Sequence, residues 1–326
     1  MAAKDKVLEI LEKNRGSYVS GEILAREAKV SRAAVWKAIT ALRGDGYDIQ
    51  GVTNLGYALA EQTDRLTPAG IGACLPASLR DQISIVSFET IDSTNNEAKR
   101  RLSAGEQDSG KVLLITADQQ TAGRGRLGRS FYSPPSTGIY MSLVFTASAS
   151  LADAVGITGA AAVAVVRAVR RLTGKEAKIK WVNDVFLDGK KICGILTEAV
   201  TSLENSHAQQ IIVGIGINCS TEDFPEEVAH VAGALRGCDV RRCALCAAVA
   251  EELYGFIEQL SDRPWMEEYR RDSLVLGKTV KCIQGAHTYL AVAEEIDDAG
   301  GLVVRLEDGT REALHSGEIS IRLTEK

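Results

Sequence analysis

Residues 119 to 131 read Gln119-Gln120-Thr121-Ala122-Gly123-Arg124-Gly125-Arg126-Leu127-Gly128-Arg129-Ser130-Phe131, and positions 123 to 129 alone hold three glycines and three arginines. The glycines penalise a helix and a packed strand would have to bury the guanidinium groups, so the run is a loop. What it connects decides the fold. Lys111 to Thr116 on one side and Ile139 to Phe145 on the other are apolar runs of strand length. Two buried strands joined by a cationic loop imply a sheet that presents Arg124, Arg126 and Arg129 to an anion, because guanidinium forks suit carboxylate and phosphate oxygens. The letters Gly123-x-Gly125-x-x-Gly128 also match the dinucleotide fingerprint. That fingerprint needs a helix opening directly after the glycines, and Ser133-Pro134-Pro135 cannot start one. A flexible loop ordered by its ligand fits better than a solvated basic turn.

Further out, the expected strand Ile83 to Phe88 leads into Asp92-Ser93-Thr94-Asn95-Asn96-Glu97. These small polar residues either hydrogen-bond a ligand or serve to cap a helix from Glu97 to Leu102. Residues 152 to 172, rich in alanine and valine, predict a helix buried over a sheet. Lys180-Trp181-Val182-Asn183-Asp184 and Lys191-Ile192-Cys193-Gly194-Ile195-Leu196 flank Asp188-Gly189, a strong hairpin turn. Lys180 lies among residues that look buried, so its ammonium is expected to face an internal anion, unless it simply sits on an edge strand. Gln210 to Asn218 predicts a buried strand interrupted by Gly214 and Gly216, as happens where a ligand or another backbone comes close. Residues 225 to 261 read as helical, and 265 to 272 as one further short helix.

The N-terminal 64 residues have a different character. Three short helices are expected, with Val7, Leu8, Ile10 and Leu11 inward on the first, Ser20 capping the second and Ser31 capping the third. Val35, Ile39 and Leu42 form the apolar stripe of the third, from Arg32 to Arg43, and two short strands follow around Asn54-Leu55-Gly56. Helices followed by a hairpin make a winged helix-turn-helix, with the motif at about 21 to 40. Ser31, Arg32, Trp36, Lys37 and Thr40 would face DNA, and Arg32, Lys37 and Arg43 make that face basic without a carboxylate. The competing reading is a helical protein-docking module. At the other end, alternating strands at Thr279 to Ile283, Leu290 to Ile296, Leu302 to Leu306 and Ile319 to Leu323 predict a small antiparallel barrel. Domains are therefore expected at 1–64, 65–273 and 274–326.

Whole-chain properties agree with an ordinary globular protein: 326 residues, 45% apolar, 25% charged, net charge −5. Residues 1 to 62 carry 9 Lys and Arg against 8 Asp and Glu, while the remainder carries 29 against 35, so the helix-turn-helix part is the less acidic one. The start lacks the apolar core of a signal peptide, and the longest apolar run, Gly159 to Val166, is too short to span a bilayer, so a cytoplasmic protein with no membrane partner is expected. Seven cysteines, an odd number, argue against a disulfide framework. Cys243-x-x-Cys246 lies in a helix-like alanine-rich segment without a second ligand pair, so a zinc site is not expected.

Taken together and in this order, Asp92-Ser93-Thr94-Asn95, Gln120 to Arg129, Lys180-Trp181-x-Asn183-Asp184, Lys191-x-x-Gly194-Ile195-Leu196 and Gly214-x-Gly216-Ile217-Asn218 make the chain resemble the bifunctional biotin protein ligase and biotin-operon repressor family along nearly its whole length. The resemblance implies an α+β multidomain fold: a winged helix-turn-helix, a central α/β ligase domain like class II synthetases with a mixed sheet, and a small SH3-like β-barrel. It implies that biotin, ATP and Mg2+ form biotinyl-5′-AMP, whose biotinyl group passes to a lysine of a biotin carboxyl carrier protein, as in acetyl-CoA carboxylase. It also implies a homodimer, promoted by the adenylate, that represses at operator DNA. Carried over by position, Ser93, Thr94, Asn95, Gln120, Gly123, Arg124, Gly125, Arg126, Lys191 and Gly194 would bind biotin. Arg126, Arg129, Phe131, Lys180, Asn183 and Asn218 would bind ATP or the adenylate, Asp184 the Mg2+, and Arg126, Lys191 and Lys180 would be catalytic. Two positions depart from the family pattern: Val182 stands where proline is common, and Phe131 where tryptophan is frequent. A lipoate or octanoate ligase, and a ligand-sensing repressor without ligase activity, are the alternatives.

Overall fold

The computed structural model describes residues 2–106, 110–147, 153–201, 209–238, 240–284, 287–315 and 318–321. α1 (Ala3–Lys13), α2 (Gly21–Ala28) and α3 (Arg32–Gly44) are followed by the antiparallel pair β1 (Ile49–Val52) and β2 (Gly56–Leu59). Ser20 and Ser31 accept hydrogen bonds from the Ile23 and Ala34 amides, both at 3.2 Å, caps worth about 1 kcal/mol each. Val7, Leu11, Leu24, Val35, Ile39 and Leu42 are buried together in a core of their own. Val19 adds a bridge that its sequence context did not announce, exchanging backbone hydrogen bonds with Tyr57 at 2.8 and 2.9 Å. Gly56 permits it: its φ is +109°, and a Cβ there would stand 2.1 Å from the Val19 carbonyl oxygen.

The central region runs α4 (Pro68–Cys74), β3 (Ile83–Ile91), α5 (Thr94–Ser103), β4 (Val112–Gln120), β5 (Gly138–Ala147), α6 (Asp153–Thr173), β6 (Lys178–Lys180), β7 (Asp184–Leu187), β8 (Lys190–Thr201), β9 (Gln209–Asn218), α7 (Glu226–Ala229), α8 (Arg242–Ile257) and α9 (Met266–Arg271). Its seven strands form one sheet in the order β3-β4-β5-β9-β8-β7-β6, in which β3 and β4 are parallel and every other pair is antiparallel. The parallel pair needs a crossover, which α5 supplies. Helices cover both faces, which is why Val112 to Ala117 read as a continuous apolar run without alternation. Ala98 of α5 packs on Leu113, Ile115, Val144 and Ile212, while α6 and α8 share the larger core on the other face. Asp188 and Gly189, with φ of +50° and +75°, make the expected two-residue hairpin.

Three expectations change. Residues 225 to 261 are not one helical stretch: between α7 and α8 the backbone pairs with the start of β8, the Lys191 amide donating to Val231 O and the Gly233 amide to Lys191 O, both at 2.8 Å. Gly233 and Gly237, the latter with φ of +71°, weaken helix propensity there and leave the backbone free to pair. α5 begins at Thr94, three residues earlier than expected, with Ser93 in the cap position but its side chain making no capping bond. Among the described residues the C-terminal domain has five strands, β10 (Thr279–Gln284), β11 (His287–Ile296), β12 (Leu302–Arg305), β13 (Arg311–Leu314) and β14 (Glu318–Ile321), ordered β13-β12-β11-β10-β14 and all antiparallel. β13, which opens on the two charged residues Arg311 and Glu312, lacks the apolar alternation that marks a strand. The end of the expected last strand, 322–323, and the first expected residue of α6, Ala152, lie outside the described residues.

The three parts are joined through side chains. Trp181 Nε1, just after β6, donates to Gly300 O at 2.9 Å and Arg270 Nε of α9 to Ile296 O at 2.8 Å, linking the central part to the C-terminal one, and one hydrophobic core runs through both. Between the N-terminal and central parts, buried Arg242 binds Asp64 at 3.0 Å and Asp118 at 2.7 Å. Arg241 of the central part also approaches Glu12 at 3.7 Å, and within the N-terminal part Arg15 pairs with the same Glu12 at 2.7 Å and donates to Ala60 O and Thr63 O. No helix among the described residues is long and apolar enough to cross a membrane.

Candidate active site

One cavity of about 290 Å³ opens over the β4, β5, β9 and β8 strands, near the lower end of the usual size for small-ligand pockets. Its first wall is the β3–α5 junction. Ser93, Thr94 and Asn95 are all at least 96% buried and line it. Because Ser93 does not cap α5, its hydroxyl is left for the cavity. Gln120, at the end of β4, turns its Oε1 to the Thr94 amide (2.9 Å) and hydroxyl (3.2 Å), and its Nε2 to Ser133 Oγ (3.0 Å). Below them Ser142 of β5 lies 2.8 Å from Thr94 Oγ1 and 2.6 Å from Asn95 Oδ1.

The second wall is the glycine-arginine loop between β4 and β5. It folds back on itself: the Phe131 amide donates to Gly123 O (2.9 Å) and the Gly125 amide to Arg129 O (2.7 Å). Leu127 at its tip has φ of +53° and is 74% exposed. Arg124 donates to Asn96 Oδ1 at 3.1 Å, and Arg126 to Asn183 Oδ1 at 3.3 Å. Arg124, Gly125, Arg126, Arg129 and Phe131 line the cavity. Gly123 does not; a Cβ there would stand 2.4 Å from Phe131 O, so this glycine serves the closure of the loop base.

The third wall comes from β6 to β9. Lys191 Nζ lies 2.7 Å from Asp184 Oδ1, although that oxygen receives no aligned hydrogen bond. The Lys180 ammonium stands 5.6 Å from the centroid of the Phe186 ring, a cation–π contact, and the residue lines the cavity. Asn183 splints loop and sheet, accepting from Arg126 and donating to Ile195 O at 3.0 Å. Asn218 donates to Gly233 O at 2.9 Å and leaves a buried Oδ1 without a hydrogen bond. The Trp181–Val182 peptide is cis.

Glycines set the depth of this wall. A Cβ on Gly214 would lie 2.2 Å from Asn95 Oδ1, and one on Gly216 would lie 2.5 Å from Phe131 Cε1. The two gaps in β9 admit cavity side chains, where the sequence had suggested a ligand or a backbone. Gly194 likewise leaves room for Lys191 and Phe131, each 3.3 Å from its absent Cβ. Phe131 meets Tyr140 edge to face at 6.3 Å.

Fourteen of the fifteen expected biotin- and nucleotide-side residues therefore share one cavity with Asp184, which is enough to confront a carboxylate and a phosphate with five cations. Sequence reasoning missed Ser142, Glu198, Lys99 and Ile319. Ser142 sits in an apolar strand where a lone hydroxyl signals little. Glu198 in the apolar β8 was a readable anomaly, as was the four-residue spacing of Asn95 and Lys99. Ile319 reaches the cavity from β14, a contact between domains that sequence pattern does not encode. For magnesium, the wall offers Asp184 and the unbonded Asn218 Oδ1 as hard oxygen donors. No group of three metal-ligating side chains occurs among the described residues, so the ion fits only with most of its ligands supplied by phosphates and water.

On the helix-turn-helix, Ser31, Arg32, Trp36, Lys37 and Thr40 are all exposed, Trp36 at 61%. Two of their hydroxyls already have structural partners: Ser31 caps α3, and Thr40 donates to Trp36 O at 2.9 Å. Arg43, counted with the basic face, braces the wing by donating to Ile49 O at 2.8 Å.

Comparison with known proteins follows the same division. Residues 4–58 match an HTH domain, 87–218 the biotin/lipoate A/B protein ligase family, and 275–322 the biotin protein ligase C-terminal domain. The bifunctional ligase/repressor BirA of Escherichia coli (strain K12) is 31% identical over 95% of this chain and 95% of its own length. That of Bacillus subtilis (strain 168) is 29% identical over 97% of each. Among solved structures, the biotin protein ligase of Aquifex aeolicus in complex with biotin and ATP superposes with a TM-score of 0.58 at 27% identity, covering 73% of this chain and 98% of that one. The chain belongs to the biotin protein ligase family, in its bifunctional ligase/repressor form with an N-terminal helix-turn-helix domain.

Proposed function

We propose that this protein joins biotin to ATP, with Mg2+, as biotinyl-5′-AMP, delivers the biotinyl group to a lysine of a biotin carboxyl carrier protein, and represses at operator DNA when loaded with the adenylate. The observation that carries the reading is the meeting of Arg124, Arg126, Arg129, Lys180 and Lys191 with the polar Ser93-Thr94-Asn95 corner around one cavity. The first step sets the biotin carboxylate on the α-phosphorus of ATP, expelling pyrophosphate. Two anions repel until cations offset the charge and hold them in line, so positioning and electrostatics are the catalytic need and no side-chain nucleophile is required.

In this reading Ser93, Thr94, Asn95 and Gln120 take the ureido end of biotin. Arg124, Gly125, Arg126, Lys191 and Gly194 lie along its carboxylate and the new anhydride, and Gly123 shapes the loop that carries them. Arg129, Phe131, Lys180, Asn183 and Asn218 serve the nucleotide. Asp184 and the triphosphate would hold Mg2+, which when bound neutralises phosphate charge. Lys191 then exchanges its Asp184 partner for the reacting anions. Residues 1–64 act as the DNA-binding unit, 65–273 as the ligase and 274–326 as the domain that closes the cavity through Ile319. Arg32 and Lys37 meet phosphates and Trp36 the groove. The repressing species is a homodimer, and the protein works in the cytoplasm.

The test is incubation with labelled biotin, ATP, Mg2+ and a carrier domain. Label on the carrier lysine with release of AMP and pyrophosphate is the expected result; transfer of lipoate or octanoate in place of biotin, or no transfer, refutes the ligase assignment. A gel shift at fixed salt, with and without biotin and ATP, tests the second activity. Operator affinity that ignores the ligands contradicts a biotin-responsive repressor.

A further inference from the structure

Behind the Ser93-Thr94-Asn95 corner lies a half-buried carboxylate outside the cavity wall. Glu198 sits on β8 two residues beyond Leu196, so both project to the face covered by α5. Asn95 and Lys99 are four residues apart on α5 and therefore share one side of it. Both reach Glu198: Lys99 Nζ lies 2.8 Å from Oε1, and Asn95 Nδ2 donates to Oε2 at 2.9 Å. Arg124 of the glycine-arginine loop approaches the same Oε1 at 3.8 Å.

The chemistry of these contacts fixes an orientation. An ionised carboxylate only accepts, so the end of the Asn95 amide turned toward Glu198 has to be the NH2. The carbonyl Oδ1 is thereby turned the other way, against Gly214 and Ser142, whose hydroxyl stands 2.6 Å from it. An amide oxygen has two lone pairs, and Ser142 uses one. The second makes this corner of the cavity an acceptor, suited to a ligand N–H. Burial alone would raise the Glu198 pKa, but the hydrogen bonds from Lys99 and Asn95 outweigh it and hold the carboxyl below its ordinary value, so the group stays ionised at neutral pH.

We propose that Glu198 is a positioning residue for biotin recognition: it locks the Asn95 amide so that its oxygen accepts from a ureido N–H, and it holds Arg124 beside that corner. This deepens the proposed ligase function and rests on it. Glutamine at 198 has the same shape, and because Lys99 and Asn95 lie on different carboxylate oxygens, its single oxygen can stand at only one of those two positions. Its NH2 can also donate, which allows the Asn95 amide to turn over and present a donor to a donor.

The experiment compares the full-length parent, Glu198→Gln, Asn95→Ala and the double variant in biotin-dependent ATP–pyrophosphate exchange. Exchange by the parent is the control, and its absence would sink the ligase reading itself, separately from this one. With an active parent, Glu198→Gln should raise KM for biotin about tenfold or more while KM for ATP changes less than about twofold. In the Asn95→Ala background the same substitution should add almost nothing, because the amide it orients is gone. Transfer from preformed biotinyl-5′-AMP should keep its maximal rate. If Glu198→Gln does not fold, Glu198→Asp keeps the charge beside Lys99 but withdraws the oxygen from Asn95, with the same expected rise. An unchanged biotin KM, an equal rise for both substrates, or additive effects of the two substitutions would overturn the proposal.

Discussion

Gly214→Ala is the smallest change that probes how the cavity is built. The new Cβ would lie 2.2 Å from Asn95 Oδ1 and 2.9 Å from both its Cγ and Nδ2, separations that atoms do not hold. Asn95 cannot lean away, because Ser142 at 2.6 Å and Glu198 at 2.9 Å fix it from two sides. If the side chain rotates out, it loses one neutral hydrogen bond and one to a charged group, roughly 0.5–1.5 and 1.5–3 kcal/mol. If α5 and β9 move apart instead, overpacking costs about 1–3 kcal/mol. Either route removes about 2–3 kcal/mol of stability and pulls an acceptor out of the biotin corner. The lost ligand hydrogen bond, at about 1.4 kcal/mol, corresponds to about a tenfold rise in KM for biotin. Phe131 packs on Gly216 and is untouched, so KM for ATP should hold. Urea unfolding and a biotin titration of adenylate formation measure both terms. A variant as stable as the parent, with its biotin KM within about twofold, would show that Asn95 is neither wedged nor used.

Arg242→Met leaves Asp64 and Asp118 without their buried cation; breaking a buried pair costs about 3–5 kcal/mol, so roughly 2–4 is expected given that both carboxylates are partly exposed, and a loss below about 0.5 kcal/mol in urea unfolding would contradict the tie. For pH dependence, Asp272 is the clearest case: burial would raise its pKa, but hydrogen bonds from Arg271, Lys178 and Arg170 bring it down to about 2. Its stabilisation is present above the unfolded carboxylate value of about 3.9 and is lost as pH falls toward 2, with a size of about 1–2 kcal/mol after allowance for the exposed cations. The stability gap between parent and Asp272→Asn should therefore narrow below about pH 4, and a gap that does not change from pH 7 to pH 3 would refute the assignment. On the DNA side, Arg32→Ala and Lys37→Ala should weaken every operator sequence alike and each flatten the salt dependence by about one counterion; an unchanged slope would remove that residue from the phosphate contacts.

Much of this was legible because the residues that carry the chemistry conflict with their local structure. Three arginines between glycines, a lysine beside tryptophan in an apolar strand, and glycines in a buried strand each violate what packing would choose, and each marks a cavity wall. Helix caps at Ser20 and Ser31 were readable from side-chain chemistry alone. What escaped depends on contacts between distant segments. The pairing of Val231 and Gly233 with Lys191 interrupts the helical region between α7 and α8. The Lys180 contact with the Phe186 ring forms across a hairpin. Ser142 and Glu198 gain meaning only when α5 is laid over the sheet, and Ile319 only when the C-terminal domain docks.

The most direct test of the cationic clamp is biotin-dependent ATP–pyrophosphate exchange by the parent, Arg126→Ala and Lys191→Ala, with circular dichroism to verify folding. Exchange should require biotin in the parent and fall by about a hundredfold or more in each variant, as expected when an interaction with the transition-state charge is removed. Exchange at the parent rate in folded Arg126→Ala and Lys191→Ala protein would contradict the claim that these cations bring the two anions together.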